Sequence, residues 1–144
     1  MFQRILVPVD LDEEALSQRA LKEAADMASL SKGHVRLVYV RTLVPATLMD
    51  FVPVEFENQE QANAEAKIIE FAKMVALPAD QVSHVVRLGS IYHEVLDEAK
   101  SFNADLIVIP SHRPTMTTYL IGSNATTITR HATCSVLVLR RDEQ

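Results

Sequence analysis

Five short apolar runs punctuate the chain: "RILVPV" (4–9), "HVRLVYV" (34–40), "QVSHVVRL" (81–88), "DLIVIP" (105–110) and "SVLVLR" (135–140). Each is rich in Val, Ile and Leu and bounded by polar residues or turn formers, which predicts β-strands. The first, fourth and fifth are nearly continuous in apolar residues rather than alternating. That predicts strands covered on both faces, as in a parallel sheet.

A different period runs between them. Over 12–31, Leu16, Ala20, Ala24 and Met27 share a helical stripe. Asp12, Glu13 and Glu14 open that segment, where negative charge suits the helix dipole, and Gly33 supplies a stop. Over 57–75 the apolar face is Ile68, Ala72 and Val75, with Pro78 beyond it. Over 90–102, Ile91, Val95, Ala99 and Phe102 line one face and Ser90 is a candidate N-cap. In 124–131, Thr126, Thr127, Ile128 and Thr129 are poor helix formers. Ala125, Ile128 and Ala132 nevertheless share a stripe, and a parallel crossover needs a connection there.

Strand and helix thus alternate from end to end. The expected fold is α/β, a Rossmann-like doubly wound five-stranded parallel sheet with helices on both faces. Ligands of such sheets bind outside the carboxyl ends of the strands, at the switch in strand order. Asp10, Arg41, Gly89 and the stretch 111–124 fall there. Residues 41–57 are long and apolar for a connection. They read as a flap packed back over the core, or as a cover in which Leu48, Met49, Phe51 and Val52 meet a ligand or partner subunit.

Composition narrows the classes. A length of 144 residues suits one domain, 1–144, with a real core. The net charge of −5 argues against a nucleic-acid surface. The single cysteine, Cys134, excludes an internal disulfide and fits a reducing compartment. No apolar run approaches the roughly 20 residues that span a bilayer, and the amino terminus reads as a strand rather than a signal peptide. A cytoplasmic protein without a membrane is the expectation.

The candidate chemistry lies in 111–124. "Gly122-Ser123-Asn124" offers backbone N–H groups at a helix start, a hydroxyl, and a glycine that lets the backbone approach an anion. Ser111, His112 and Arg113 follow the fourth strand directly, within reach of a ribose or phosphate, and Arg113 adds a forked cationic donor. No Walker loop and no G-x-G-x-x-G is present.

"ILVPVD", "DLIVIPSHRP", "GSNATTITRHA" and "CSVLVL", in this order over essentially the whole chain, resemble the universal stress protein family. "SHRP…TTYL-GSNA" is similar to the loop of one small bacterial subgroup. The resemblance implies a five-stranded Rossmann-like fold and a homodimer or tetramer through the last strand, with an unidentified protein partner. It also implies ATP or another adenine nucleotide, accompanied by Mg, in those members that bind one. By position, Pro8, Val9 and Asp10 would lie beside adenine and ribose, and Val40 against the base. Ser111, His112 and Arg113 would flank ribose and phosphates, and Gly122, Ser123 and Asn124 would cradle the phosphates.

Binding members carry Gly-x2-Gly-x9-Gly-[Ser/Thr]. Here Pro110 and Arg113 take the first two glycine positions, and eight residues separate Arg113 from Gly122. Pro110 has no N–H to give, while the Arg113 guanidinium can replace missing donors. Asp10 can also cap the first helix, and the two roles can coexist.

Other constellations read as structural. His131 and Cys134 form H-x2-C without the second pair a structural zinc site needs. His34 and His84 read as satisfied side chains at partly covered strand positions, and His93 as solvated. Asp10 and Asp12 suggest a receiver domain, but the third and fifth strands end in Arg87-Leu88 and Arg140-Arg141, without its Asp and Lys. No nucleophile–base pairing has convincing spacing. The expected function is a regulatory, oligomerising stress-response protein that binds an adenine nucleotide. The alternatives are a ligand-free dimeric interaction module and a slow ATP hydrolase.

Overall fold

The computed structural model describes residues 2–43, 46–110 and 123–140. Its elements are β1 (Arg4–Pro8), α1 (Glu14–Ser31), β2 (His34–Arg41), α2 (Val54–Lys73), β3 (Val82–Leu88), α3 (Ile91–Phe102), β4 (Leu106–Pro110), α4 (Ser123–His131) and β5 (Ser135–Leu139). Short 3₁₀ turns occupy Ala46–Phe51 and Ala79–Gln81. The sheet order is β3-β2-β1-β4-β5 and every pairing is parallel. The chain starts at the centre, winds out to β3, then crosses back to β4. The switch in direction therefore falls between β1 and β4.

α1 and α2 cover one face, where Ile5, Val7, Leu37 and Val108 meet Ala24, Ile68 and Phe71. α3 and α4 cover the other, where Leu6, Val38, Ile107 and Ile109 meet Val95, Phe102 and Ile128. β1 and β4 are buried on both faces, as their continuous apolar runs predict. β5 has the same composition but remains half-exposed, because it is an edge strand with a neighbour on one side only.

Helix ends follow local chemistry. α1 closes on Lys32, which adopts the left-handed conformation (φ 55°), and Gly33 N–H donates to the Ala28 carbonyl at 2.8 Å. Gly33 is required for packing: a Cβ there would lie 2.9 Å from the Gln3 carbonyl oxygen. Ser90 stands at the N-cap position of α3 and contributes its carbonyl, which accepts from Glu94 N–H at 3.0 Å, without a side-chain cap. α2 begins at Val54, earlier than the apolar stripe suggests. The preceding turn does not pack over the core, since Leu48 and Phe51 are exposed.

The α3 face carries a closed charge network. Glu98, 4% exposed, accepts from Arg36 Nη1 and Arg87 Nη1, each at 2.9 Å. Arg87 Nε also donates to Glu94 at 2.9 Å, and Arg36 Nε to Ser83 Oγ at 2.8 Å. The guanidiniums of Arg4 and Arg36 stack on the Phe102 ring at 4.2 and 4.4 Å from its centroid. Among the described residues, no buried side-chain nitrogen or oxygen lacks a partner.

Candidate functional site

At the switch point the β1–β4 ladder is short. β1 pairs with β2 over five residue pairs but with β4 over only two, Ile5–Leu106 and Leu6–Ile107. Val9 N–H donates to the Val38 carbonyl on β2 at 2.9 Å. Successive N–H groups alternate sides along a strand, so Pro8 faces β4 and has no donor to continue that ladder. The hydrogen-bonded ladder between the two central strands ends below it.

Asp10 follows β1 at this end of the sheet, half-buried and held from several directions. Its N–H donates to Ser17 Oγ, and the Ser17 hydroxyl donates back to the Asp10 carbonyl, both at 3.1 Å. Its carboxylate Oδ1 accepts from Asp12 N–H at 3.0 Å, an Asx turn that leads into α1. The N-cap position of α1 is Glu13, so Asp10 shapes the turn before the helix rather than capping it. Ser17 is fully buried, and sequence reading missed it; a lone hydroxyl on the apolar stripe of a helix was the available signal.

The other candidates divide by position. The Val9 side chain is buried in the α1/α2 core, so Val9 offers a ligand only its backbone. Val40, the penultimate residue of β2, packs in the cluster of Ile91 on the opposite face and is 4% exposed. Ser123 and Asn124 open α4, which runs antiparallel to the strands and so starts at the carboxyl end of the sheet. Arg130 and His131 in its last turn match the helix dipole. Pro8, Val9, Asp10, Val40, Ser123 and Asn124 thus share one end of the sheet. Ser111, His112, Arg113 and Gly122 lie outside the described residues.

A cavity of about 430 Å³ opens at the same end, on the α1/α2 face. Leu11, Asp12, Tyr39, Arg41, Glu60, Asn63 and Lys67 are among its lining residues. Arg41 is committed to Glu57 and Gln61, each at 2.8 Å. Lys67 stands 3.9 Å from Asp12, both well exposed. Burial, then the Asp12 and Asp10 carboxylates, push the Tyr39 phenol above its usual pKa, so it stays a neutral donor. With two carboxylates, two cations, an amide and a phenol in its lining, the cavity offers both donors and acceptors to a polar ligand. Its volume falls within the roughly 300–1,000 Å³ usual for small-molecule sites. The sequence reading missed Glu60, Asn63 and Lys67, although they form a polar stripe at i, i+3 and i+7 beside the apolar stripe of α2.

The histidines and the cysteine are placed as follows. His93 is exposed, and His34 is half-buried with Nε2 2.9 Å from Ser83 Oγ. Burial first, then Arg36 and Arg4, lower the His34 pKa, which favours the neutral ring. His84 is exposed, not partly covered, because β3 is the other edge strand. Cys134 is half-buried, and burial raises its thiol pKa.

The sequence profile of the Universal stress protein family matches residues 1–140. Universal stress protein G of Salmonella typhimurium is 32% identical over 143 residues, 97% of this chain and 100% of that protein. Among solved structures, the universal stress protein UspA from Lactobacillus plantarum matches with a TM-score of 0.76 at 28% identity. That match covers 96% of this chain and 97% of the other. A universal stress protein in complex with cAMP matches with a TM-score of 0.70 at 18% identity, covering 96% and 97% of the two chains. The five-stranded parallel fold is common to all of these structures.

Proposed function

Because this chain belongs to the universal stress protein family, we propose that it binds an adenine nucleotide at the carboxyl end of its sheet and signals that state to a partner. The switch in strand order supports this reading more than any other single observation, since β1 and β4 are neighbours that continue to opposite sides of the sheet and Asp10 follows β1 there. A ribose hydroxyl would donate to the carboxylate of Asp10, whose backbone the Ser17 hydroxyl holds and whose side chain Asp12 N–H orients. The phosphates would lie toward the start of α4, where N–H groups and the dipole favour an anion. Where Mg²⁺ accompanies them, Asp10 would share in holding it and the ion would neutralise phosphate charge. The cAMP complex of the fold neighbour fits the same ligand class.

A homodimer through β5 belongs to the proposal. The strand is apolar on both faces yet half-exposed, and its outer edge leaves a row of N–H and C=O groups that a second copy could pair. Nucleotide would act by binding two arrangements of that assembly with different affinity.

Calorimetric titration with AMP, cAMP, ADP and ATP tests the site. At least one should bind with one-per-chain stoichiometry, and Asp10→Asn should weaken it about tenfold, or ~1.4 kcal/mol, without loss of the fold. A folded protein that takes up none of them at millimolar concentration would leave the ligand-free dimeric module as the better account.

A further inference from the structure

We propose that the outer edge of β3, with the apolar groove between it and α2, docks an extended segment of a partner protein that carries apolar side chains and a carboxylate on one face. The segment would add to the sheet as a further strand. The nucleotide reading neither requires this site nor supplies it.

β3 closes one side of the sheet and, among the described residues, pairs only with β2. Gly89 N–H donates to the Arg41 carbonyl at 2.9 Å, and the backbone groups of successive residues alternate sides. Those of His84 and Val86 therefore point out of the sheet, where an added strand would meet them. Such an edge gives affinity to any extended backbone, and pockets for alternate side chains give the specificity.

The independent observation is a groove of about 310 Å³ beside that edge. Ile69 and Ala72 of α2, Val75 and Leu77 beyond it, and Val82 and His84 of β3 are in its lining. Ala72, Leu77 and Val82 are only partly buried against the α1/α2 core, so the groove is the open margin of that core. The other side of the same edge differs: Ser83 and Arg87 are tied there to Arg36 and Glu98. A segment laid along β3 would thus find apolar room on one side only, and every second residue would enter it.

The occupant follows from charge and from what a second copy lacks. Lys73 and His84 are the polar side chains of the lining, which contains no carboxylate among the described residues. Lys73 is paired with Glu70 at 3.2 Å, but both are about two-thirds exposed, and such a pair is worth little in water. Its ammonium can turn to a carboxylate that arrives with the segment. A second copy of this chain fits poorly. Val82 and Val86 of its β3, and Leu137 and Leu139 of its β5, already pack against its own core and cannot enter a groove. An extended segment has its alternate side chains free.

Fluorescence anisotropy on the full chain tests the site with two labelled hexapeptides, Thr-Val-Thr-Val-Thr-Glu and Glu-Thr-Val-Thr-Val-Thr. Each puts two valines and an acid on one face. At least one should bind with a Kd below about 1 mM. Ile69→Asp, at an exposed position, should weaken binding at least about tenfold while circular dichroism shows an intact fold. Gln in place of the peptide's Glu should weaken it severalfold. N-methylation at the valines and at the threonines should differ by about tenfold or more, since only one set of N–H groups faces β3. In the NMR spectrum the amides of His84 and Val86 should shift and those of Asp10 and Asn124 stay in place. No binding of either peptide at millimolar concentration, wild-type affinity in Ile69→Asp, or equal effects of the two methylations would each overturn the proposal.

Discussion

The α3 face and the carboxyl end of the sheet both concentrate charge, but they use it differently. On the α3 face each carboxylate oxygen of Glu98 is matched to a guanidinium at 2.9 Å, and Glu98 is nearly inaccessible. At the carboxyl end, Asp12 and Lys67 stand 3.9 Å apart in water beside a cavity of about 430 Å³. Charge that is closed on itself holds a fold together. Charge that is loosely paired around a space has hydrogen-bonding capacity left for a ligand. Net charge and composition average over these two regions and so cannot separate them.

The largest effect that can break this contrast is on stability. Glu98→Ala would leave Arg36 and Arg87 facing each other without their common carboxylate. Breaking a buried pair costs about 3–5 kcal/mol, and the lower end applies because both guanidiniums keep about a quarter of their surface in water. Urea unfolding should show that loss, while nucleotide affinity of the folded fraction stays unchanged. A loss below about 1 kcal/mol would make the network dispensable and remove one side of the comparison.

Ser17→Ala should give a smaller effect that sharpens the contrast at its other side. It removes both hydrogen bonds to the Asp10 backbone and strands a polar group, worth about 1–3 kcal/mol. It should also weaken nucleotide binding severalfold, since Asp10 would no longer be held in place. Equal affinities for the variant and the wild type, measured by titration at a temperature where both are folded, would show that the Ser17 pair only stabilises the turn.

Much of the fold was legible because its two periods are strong. The continuous runs of β1 and β4 marked the buried centre of the sheet, and Ile91, Val95, Ala99 and Phe102 marked the covered face of α3. β5 carried the same apolar signal and is an edge, because composition reports what a strand can bury and not how many neighbours it has. The turn 46–51 was apolar enough to suggest packing, yet Phe51 is 80% exposed. At the candidate site, Asp10 was found from its place after β1. Ser17, Tyr39 and Lys67 were not, since α1, β2 and α2 bring them to the site from separate stretches of chain. Glu98 reads as a solvated helix charge until β2 and β3 set two arginines against it.

The most direct test of the central claim is where an adenine nucleotide touches the chain. With isotope-labelled protein, adding AMP should shift the backbone amides of Asp10, Asp12, Arg41 and Asn124 and leave those of Arg36, Arg87 and Glu98 in place. Shifts confined to the groove of Ile69, Val82 and His84 on the β3 edge, or no shifts at saturating AMP, ADP, ATP and cAMP, would contradict it.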